Sequence, residues 1–306
     1  MSFSSEIKKE LCSNKDMTPN EMKAMLYGIL FATRYSEDGR PVIQTENTDL
    51  ISALRMLTAG SFPSAKAETK RLVTNGGSLF SFRIKSGYDD MSAEFGDYSS
   101  IAPIIAAQGD DVAGAFLRGI FVACGSVTDP HKEYHLELVL PFGNRAEAVC
   151  AFAAEHGINL KTSVRSRNTG SLVLYAKGSE LIEDFLTYIG AANHSLEIMR
   201  VKVEKDFRNR VNRHVNCESA NLDKTVNAAQ RIIEDIELIY SKGVEKQLSA
   251  DLQQTARLRI SNPEMSLSEL CQQFPIPISR SGLNHRLKKL AKIAEELRNS
   301  EADVTT

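Results

Sequence analysis

Near its C-terminus the chain places polar side chains at the spacing of one helix face. Arg280, Ser281, Asn284, His285 and Lys288 recur at steps of three and four residues, and leucines recur with the same period. An arginine can bind guanine at two points and an asparagine can do the same with adenine, and each such pair discriminates by ~1–3 kcal/mol. These residue types at this spacing predict a helix that reads the major groove of double-stranded DNA.

The same helix carries further cations. Arg286, Lys288, Lys289 and Lys292 suit contact with phosphates, which positions a protein on DNA without reading its sequence. The alternative is a solvated basic helix that has no partner. We expect the DNA-binding surface to consist of Arg280, Ser281, Asn284, His285, Arg286, Lys288 and Lys289.

Three predicted helices would position this surface. The first covers about residues 250–260. The second opens with the capping-box sequence Ser266–Glu269 and runs to about Gln273, after which Pro275 and Pro277 prevent its continuation. The third covers about residues 279–297 and has a leucine stripe. Three short helices, the last two joined by a tight turn, predict a helix-turn-helix.

Charge is unevenly distributed along the chain. The formal net charge is −2, yet residues 1–199 hold 19 basic and 24 acidic side chains, whereas residues 200–299 hold 18 and 13. This division favours contact of a polyanion with the C-terminal part only. A basic, asparagine-rich segment at 205–216 lies between the two parts and is predicted to belong to a long helical linker.

The first two hundred residues contain an internal repeat. Two apolar helical patterns have a central glycine, Gly28 and Gly119, and each is followed in the same order by a strand, a helix and a hairpin signal. The strands are at 41–45 and 134–140, the helices at 49–58 and 145–155, and the glycine-containing turns at 75–79 and 168–172. This repetition predicts a duplicated α/β unit with mainly antiparallel strands.

Glycine at a helix centre costs ~1 kcal/mol relative to alanine. Close packing of the two helices against each other would explain why both carry one, although each glycine could also be merely tolerated. We therefore expect the helices around Gly28 and Gly119 to pack side by side.

The composition is that of a folded protein without a membrane segment. Hydrophobic residues make up 42% and charged residues 25% of the chain, and no stretch approaches the ~20 apolar residues that a spanning helix needs. The polar, acid-containing start is not typical of a signal peptide. Five widely separated cysteines without a Cys-x-x-Cys favour reduced thiols in the cytoplasm over disulfides or a zinc site. No glycine-rich nucleotide-binding motif occurs, so no cofactor is expected.

Several segments resemble the WhiA family of bacterial regulators. Residues 211–225 resemble that family's linker, residues 279–290 resemble its recognition helix, and residues 2–11 and 116–119 fit it as well. The resemblance implies a nucleoid-associated transcription regulator of cell division, chromosome segregation or sporulation. It implies an α+β fold in which a duplicated LAGLIDADG homing-endonuclease-like αββαββα domain is followed by a helical linker and an all-α, sigma-factor-type helix-turn-helix domain.

The repeat and the resemblance together predict four parts. Residues 1–192 form the LAGLIDADG-like domain, with repeats at about 20–107 and 109–192. Residues 193–244 form the linker, residues 245–299 the helix-turn-helix domain and residues 300–306 a tail.

A LAGLIDADG nuclease holds divalent metals with one acid at the end of each motif helix. Alignment of the two repeats with that motif places Thr33 and Cys124 at these positions. Neither is a ligand that Mg²⁺ prefers, so we expect no catalytic residues, no metal and no enzymatic activity. Glu37, Asp38 and Asp129 are candidate substitute acids. An active endonuclease targeted by the helix-turn-helix, and a nucleoid or division-site interaction protein, stay as alternatives.

The first domain is acidic in total although its predicted sheet carries cations. These are Arg83, Lys85, Lys161, Arg165 and Arg167. Binding of DNA on that sheet would need positive charge. We therefore expect this domain to contact a protein partner, RNA polymerase or another regulator, more than DNA.

Overall fold

The structure is a computed structural model that describes residues 2–36, 39–74, 77–98, 100–164 and 172–304. The chain divides into two units, Met1–Asp206 and Phe207–Thr306. The first unit is mixed α and β, and the described part of the second is helical.

The N-terminal unit consists of two halves with the same order of elements. After α1 (Phe3–Ser13), the first half comprises α2 (Pro19–Phe31), β1 (Arg34–Tyr35), β2 (Pro41–Thr45), α3 (Thr48–Ser61), β3 (Lys66–Thr74), β4 (Gly77–Ser86) and α4 (Tyr88–Phe95). After the short α5 (Pro103–Ala106), the second half comprises α6 (Asp110–Cys124), β5 (Gly125–Val127), β6 (His135–Leu140), α7 (Gly143–Glu155), β7 (Lys161–Val164), β8 (Leu172–Lys177) and α8 (Ser179–Tyr188). Each half therefore has the predicted αββαββα order.

Each half contains one four-stranded antiparallel sheet. The strand orders are equivalent, β1-β2-β4-β3 in the first half and β5-β6-β8-β7 in the second. Strand β6 shows why the sheets have one covered face, because Leu136, Leu138 and Leu140 are buried while the residues between them are half-exposed. The duplicated α+β fold is confirmed. Of the predicted hairpin turns, residues 75–76 and 168–171 lie outside the described part of the chain.

The two glycine-bearing helices, α2 and α6, are in direct backbone contact. A Cβ atom added to Gly28 would overlap the carbonyl oxygen of Phe116 and lie 3.1 Å from the Ile120 nitrogen. A Cβ atom added to Gly119 would overlap the carbonyl oxygen of Met25 and lie 3.1 Å from the Gly28 Cα. In both cases the oxygen belongs to the residue three before the opposite glycine. This reciprocal pattern is that of a pseudo-twofold axis between the helices, and it confirms the predicted side-by-side packing.

Aromatic side chains close the core around this helix pair. Tyr27 is fully buried, and its ring lies 5.6 Å from Phe116 and 5.3 Å from Tyr98 between ring centres. The Tyr27 hydroxyl donates to the Ser100 carbonyl at 2.8 Å and accepts from the Ala102 amide at 2.9 Å. Both hydrogen-bonding roles of this buried hydroxyl are therefore satisfied.

The second unit begins within a helix of 50 residues, α9 (Ala192–Ser241). The predicted linker is thus helical through most of its length, because no Gly or Pro interrupts the sequence from 192 to 241. Every side chain from Asp206 to Ala228 is exposed. Despite this length α9 is polar, and none of the helices in the described ranges is long and apolar enough to cross a membrane.

Three further helices complete the second unit after a 3₁₀ turn at Val244–Gln247. They are α10 (Ala250–Ser261), α11 (Leu267–Gln272) and α12 (Arg280–Val304), and they confirm the predicted three-helix arrangement. Helix α12 ends later than the predicted limit near Leu297, because neither glycine nor proline follows in the sequence. The core of this unit is formed by apolar residues that include Ile236, Ile239, Leu252, Ala256, Leu270, Leu283, Leu287 and Leu290.

The backbone contact of α2 and α6 predicts that Gly119→Ala destabilises the N-terminal unit. Forcing the helices apart costs ~1–3 kcal/mol or more, against ~1 kcal/mol that alanine gains as a helix former. We expect the free energy of unfolding to fall by ~1–2 kcal/mol in urea titrations. Tyrosine fluorescence can follow this transition, since seven of the eight tyrosines lie in the N-terminal unit.

The control is Gly109→Ala at the start of α6, where an added Cβ meets no atom within 4 Å and the backbone φ is −71°. This variant should lose less stability than Gly119→Ala. Equal or greater stability of the Gly119→Ala protein relative to wild type would show that the helices do not depend on the close approach.

Candidate nucleic-acid interface

Caps fix the first residues of α11 and α12. At α11, the Ser266 Oγ accepts from the Glu269 amide at 3.3 Å, and the Glu269 carboxylate accepts from the Ser266 amide at 2.9 Å. This is the predicted capping box, and it is confirmed. At α12, the Gly282 amide donates to the Ser279 Oγ at 3.1 Å. Each helix therefore begins at a defined residue.

The connection between α11 and α12 differs from the tight turn that we predicted. It spans seven residues, 273–279. Pro275 and Pro277 prevent helix formation in this segment, and the side chain of Phe274, which precedes them, is buried in the core. The Ile278 amide then donates to the Cys271 carbonyl at 3.4 Å, which ties the end of the connection to α11. The buried Phe274 and this hydrogen bond thus fix the two ends of the connection.

Helix α12 has one buried and one exposed face. Leu283, Leu287 and Leu290 are at most 2% exposed, and they hold the helix against α10 and α11. Six of the seven predicted DNA-binding residues are exposed on the other side: Arg280, Ser281, Asn284, His285, Lys288 and Lys289. The sequence has no acidic residue from Arg280 to Ala294, so the start of this face is uniformly basic or neutral.

Arg286 is placed differently from the other predicted site residues. Its side chain is 22% exposed, its guanidinium lies 3.0 Å from the Asp251 carboxylate of α10, and it stacks 5.6 Å above the Phe274 ring. These contacts tie α12 to α10 and to the connection. The geometry therefore makes Arg286 a residue that orients the helix.

The two positions that correspond to nuclease acids carry no charge. The Thr33 hydroxyl donates to the Leu30 carbonyl at 2.8 Å, and the Cys124 thiol donates to the Ile120 carbonyl at 3.3 Å. Burial raises the pKa of the Cys124 thiol to about 12, so it stays protonated below that pH. Both polar atoms are therefore hydrogen-bonded to carbonyls near the end of the preceding or containing helix, α2 for Thr33 and α6 for Cys124.

The substitute acids do not form a second candidate centre in the described residues. Glu37 and Asp38 lie outside them. The Asp129 carboxylate accepts from the His131 amide at 2.9 Å, which caps a turn after β5. Within the described ranges, no group of three or more His, Cys, Asp and Glu side chains is arranged to hold a metal ion.

Arg145 of α7 is a residue near the nuclease position that the sequence did not suggest. Its Nη1 donates to the Phe31 carbonyl at 3.0 Å and approaches the Thr33 carbonyl at 3.4 Å, and the guanidinium lies 4.7 Å above the Tyr35 ring. It satisfies carbonyls at the end of α2 and is 7% exposed. No motif marks it, because only the folded chain brings residues 31 and 145 together.

The cations that were assigned to the predicted sheet are exposed where the structure describes them. These are Arg83 and Lys85 on β4 and Lys161 on β7, while Arg165 and Arg167 lie outside the described residues. The charge of Lys85 is compensated in part, since its ammonium lies 3.1 Å from the Glu68 carboxylate. This ion pair lowers the pKa of Glu68, which therefore stays ionised near neutral pH.

Comparison with known proteins relates both units to one family. A family description named WhiA LAGLIDADG-like domain matches residues 113–208, and one named WhiA C-terminal HTH domain matches residues 211–294. A "Probable cell division protein WhiA" from Clostridium novyi (strain NT) is 36% identical over 97% of this chain and 99% of its own length. The chain belongs to the WhiA family.

Further relatives agree in sequence and in fold. A "Probable cell division protein WhiA" from Lactobacillus delbrueckii subsp. bulgaricus is 37% identical over 97% of this chain and 99% of its own length. The crystal structure of full-length DUF199/WhiA from Thermatoga maritima is 27% identical, with a TM-score of 0.61, and covers 97% of this chain and 99% of that one. The N-terminal LAGLIDADG-like and C-terminal helix-turn-helix regions of this WhiA family member are therefore shown.

Proposed function

We propose that this WhiA family member is a DNA-binding transcription regulator that acts in cell division, chromosome segregation or sporulation. One observation carries the proposal: the start of α12 is exposed, basic and rich in hydrogen-bonding side chains, while three buried leucines fix its opposite face. The names of the relatives, which are called cell division proteins, support the cellular role. Action on the nucleoid in the cytoplasm follows from this proposal.

Different roles follow for the site residues. Arg280 and Asn284 read base edges from the start of α12, with Ser281 and His285 beside them. Lys288 and Lys289 contact phosphates and set the position of the helix on the duplex. Arg286 acts through its ion pair with Asp251, which holds α12 in the orientation that the reading residues need.

The internal repeat predicts an N-terminal domain at residues 1–192. We propose that this domain does not cleave phosphodiester bonds. The support is chemical: a hydroxyl and a protonated thiol occupy the acid positions, and Arg145 places a cation at the end of α2. Such a centre repels Mg²⁺ instead of concentrating it. The domain instead contacts a protein, RNA polymerase or another regulator. Residues 193–244 link it to the helix-turn-helix domain at 245–299.

Two competing functions make different predictions. An active endonuclease would need carboxylates close to the scissile phosphate, and Thr33 and Cys124 supply none. A nucleoid or division-site protein without sequence preference would need only the lysines of α12, and the reading residues at its start would have no role. The nucleoid or division-site protein is the alternative that most resembles the proposed regulator, because both bind DNA through α12. Base preference distinguishes the two.

Asn284→Ala and Arg280→Ala should each relax base preference at one position, because each removes a two-point base contact. Full-length protein would select duplexes from a random library, and gel shifts on the selected sequence and on single-base variants would follow. We expect each variant to lose ~1–3 kcal/mol of discrimination at one base pair. Lys289→Ala is the matched control and should weaken binding to all sequences alike. Uniform weakening by all three substitutions would favour the nucleoid protein.

The purified protein should not cut DNA between pH 7 and 9 in Mg²⁺ or Mn²⁺. With its pKa raised to about 12, the Cys124 thiol stays neutral throughout this range, so a higher pH creates no negative ligand. The assay is nicking of supercoiled plasmid. Nicking that increases with protein, and that disappears in Glu37→Ala, Asp38→Ala or Asp129→Ala, would show that a substitute acid restores a working centre.

A further inference from the structure

The exposed segment of α9 next to the helix-turn-helix has no packing role that explains its residues. Every side chain from Asp206 to Ala228 is exposed, which amounts to about six helical turns. A helix that is polar all round can bridge two domains through solvent, but that role does not require cations on a particular face. Three of its four arginines and lysines, Arg210, Arg213 and Lys224, lie on one side of the helix, and the fourth, Arg208, lies on the opposite side.

These three cations share one face of α9. At ~100° of rotation per residue, Arg213 lies within about 20° of Lys224 around the helix axis and Arg210 within about 40°. Of the three acids of the segment, Glu218 and Asp223 lie about 100–120° away from Lys224, whereas Asp206 lies at the N-terminal end of the same face, one turn before Arg210, so the face carries three cations and one acid. Within the described residues, Arg210 and Lys224 form no ion pair, and the Arg213 Nε bonds only the Asn209 carbonyl of its own helix at 3.3 Å.

This face continues into the start of the recognition helix. Lys224 and Thr225 of α9 and Arg280 of α12 line the same cavity of about 270 Å³. Arg259 also lines it, is 1% exposed, and donates through Nη1 to the Met265 carbonyl at 2.7 Å. Its Nε has no partner in the described part of the chain. No Asp or Glu lines this cavity, so the cations on it are not neutralised there.

We infer that the face of α9 that carries Arg210, Arg213 and Lys224 binds the phosphate backbone of the same duplex that α12 reads. The inference rests on the proposed function of α12 and extends it to the long helix. The three cations span ~21 Å along the helix axis. Duplex DNA presents one negative charge per ~1.7 Å of its length, so a backbone alongside α9 offers a phosphate to each of them.

Charge favours DNA over a protein as the occupant of this face. The exposed apolar side chains of the segment, such as Val215 and Leu222, lie about 160–180° from Lys224. A protein that packed on those side chains would leave the three cations in solvent. A polyanion would bind the three cations and leave the apolar side exposed. The cavity that Lys224 and Arg280 both line also makes this surface continuous with the exposed face of α12.

The test is the salt dependence of DNA binding by full-length single variants. Arg210→Ala, Arg213→Ala and Lys224→Ala should each lower the slope of log affinity against log salt by about 0.9, because each removes one phosphate contact. The duplex is the sequence that wild-type protein selects from a random library, in 50–300 mM KCl. Base preference on single-base variants should be unchanged, since phosphate contacts do not read sequence.

Arg208→Ala is the matched control. It removes the same charge from the same exposed segment, but about 160° around the helix from Lys224, and it should keep the wild-type slope. All four positions are exposed and alanine favours helix, so circular dichroism should show intact helices.

The outcomes separate this inference from the proposed function. If the three variants behave like Arg208→Ala while Asn284→Ala still alters base preference, the inference is overturned and α12 keeps its function; a protein partner then becomes the occupant of α9. If the wild-type protein selects no sequence and Asn284→Ala changes nothing, the proposed function itself has failed. Reduced slopes in the three variants, with a wild-type slope in the control, support phosphate binding by α9.

Discussion

The backbone contact between α2 and α6 is the constraint on which the N-terminal unit depends. Gly28 and Gly119 let the two helices approach until each glycine faces a carbonyl of the other helix, Phe116 or Met25. The contact joins two copies of one folding unit, whose antiparallel sheets have equivalent strand orders. Any side chain at either glycine would have to push two backbones apart, and a backbone cannot rotate away as a side chain can.

The same contact keeps the LAGLIDADG-like helix pair together without a carboxylate at either of the two acid positions. The helix pair fixes where Thr33 and Cys124 lie, whatever their side chains are. Their polar atoms bond carbonyls of α2 and α6, respectively, and Arg145 satisfies further carbonyls at the end of α2. The residues that would serve catalysis in a LAGLIDADG nuclease are thus replaced by residues that complete helix ends. Packing is retained although the charge that a metal site needs is absent at both positions.

In the second unit, contacts between residues far apart in the sequence fix α12, while the residues on its other face stay exposed to solvent. Leu283, Leu287 and Leu290 pack α12 against the core of this unit, and Arg286 ties it to Asp251 of α10.

The periodic features were predictable from the sequence, because leucines at helical spacing, the Ser266–Glu269 capping box and the central glycines are local signals. The contacts of Arg286 with Asp251 and of Arg145 with Phe31 were not, since 35 and 114 residues separate the partners and no periodicity links them. The seven-residue connection was missed for a similar reason: two prolines indicate a break, but only the core shows that Phe274 anchors it.

We propose above all that this WhiA family member finds specific chromosomal sites through the exposed face of α12. Chromatin immunoprecipitation with sequencing tests it most directly, with wild-type protein and the Arg280→Ala, Asn284→Ala double variant at equal abundance in the organism that encodes the chain. We predict discrete wild-type peaks that share one sequence element, and loss of those peaks in the double variant because the base contacts are gone. Broad coverage without a shared element, or the same peaks in the variant, would contradict it.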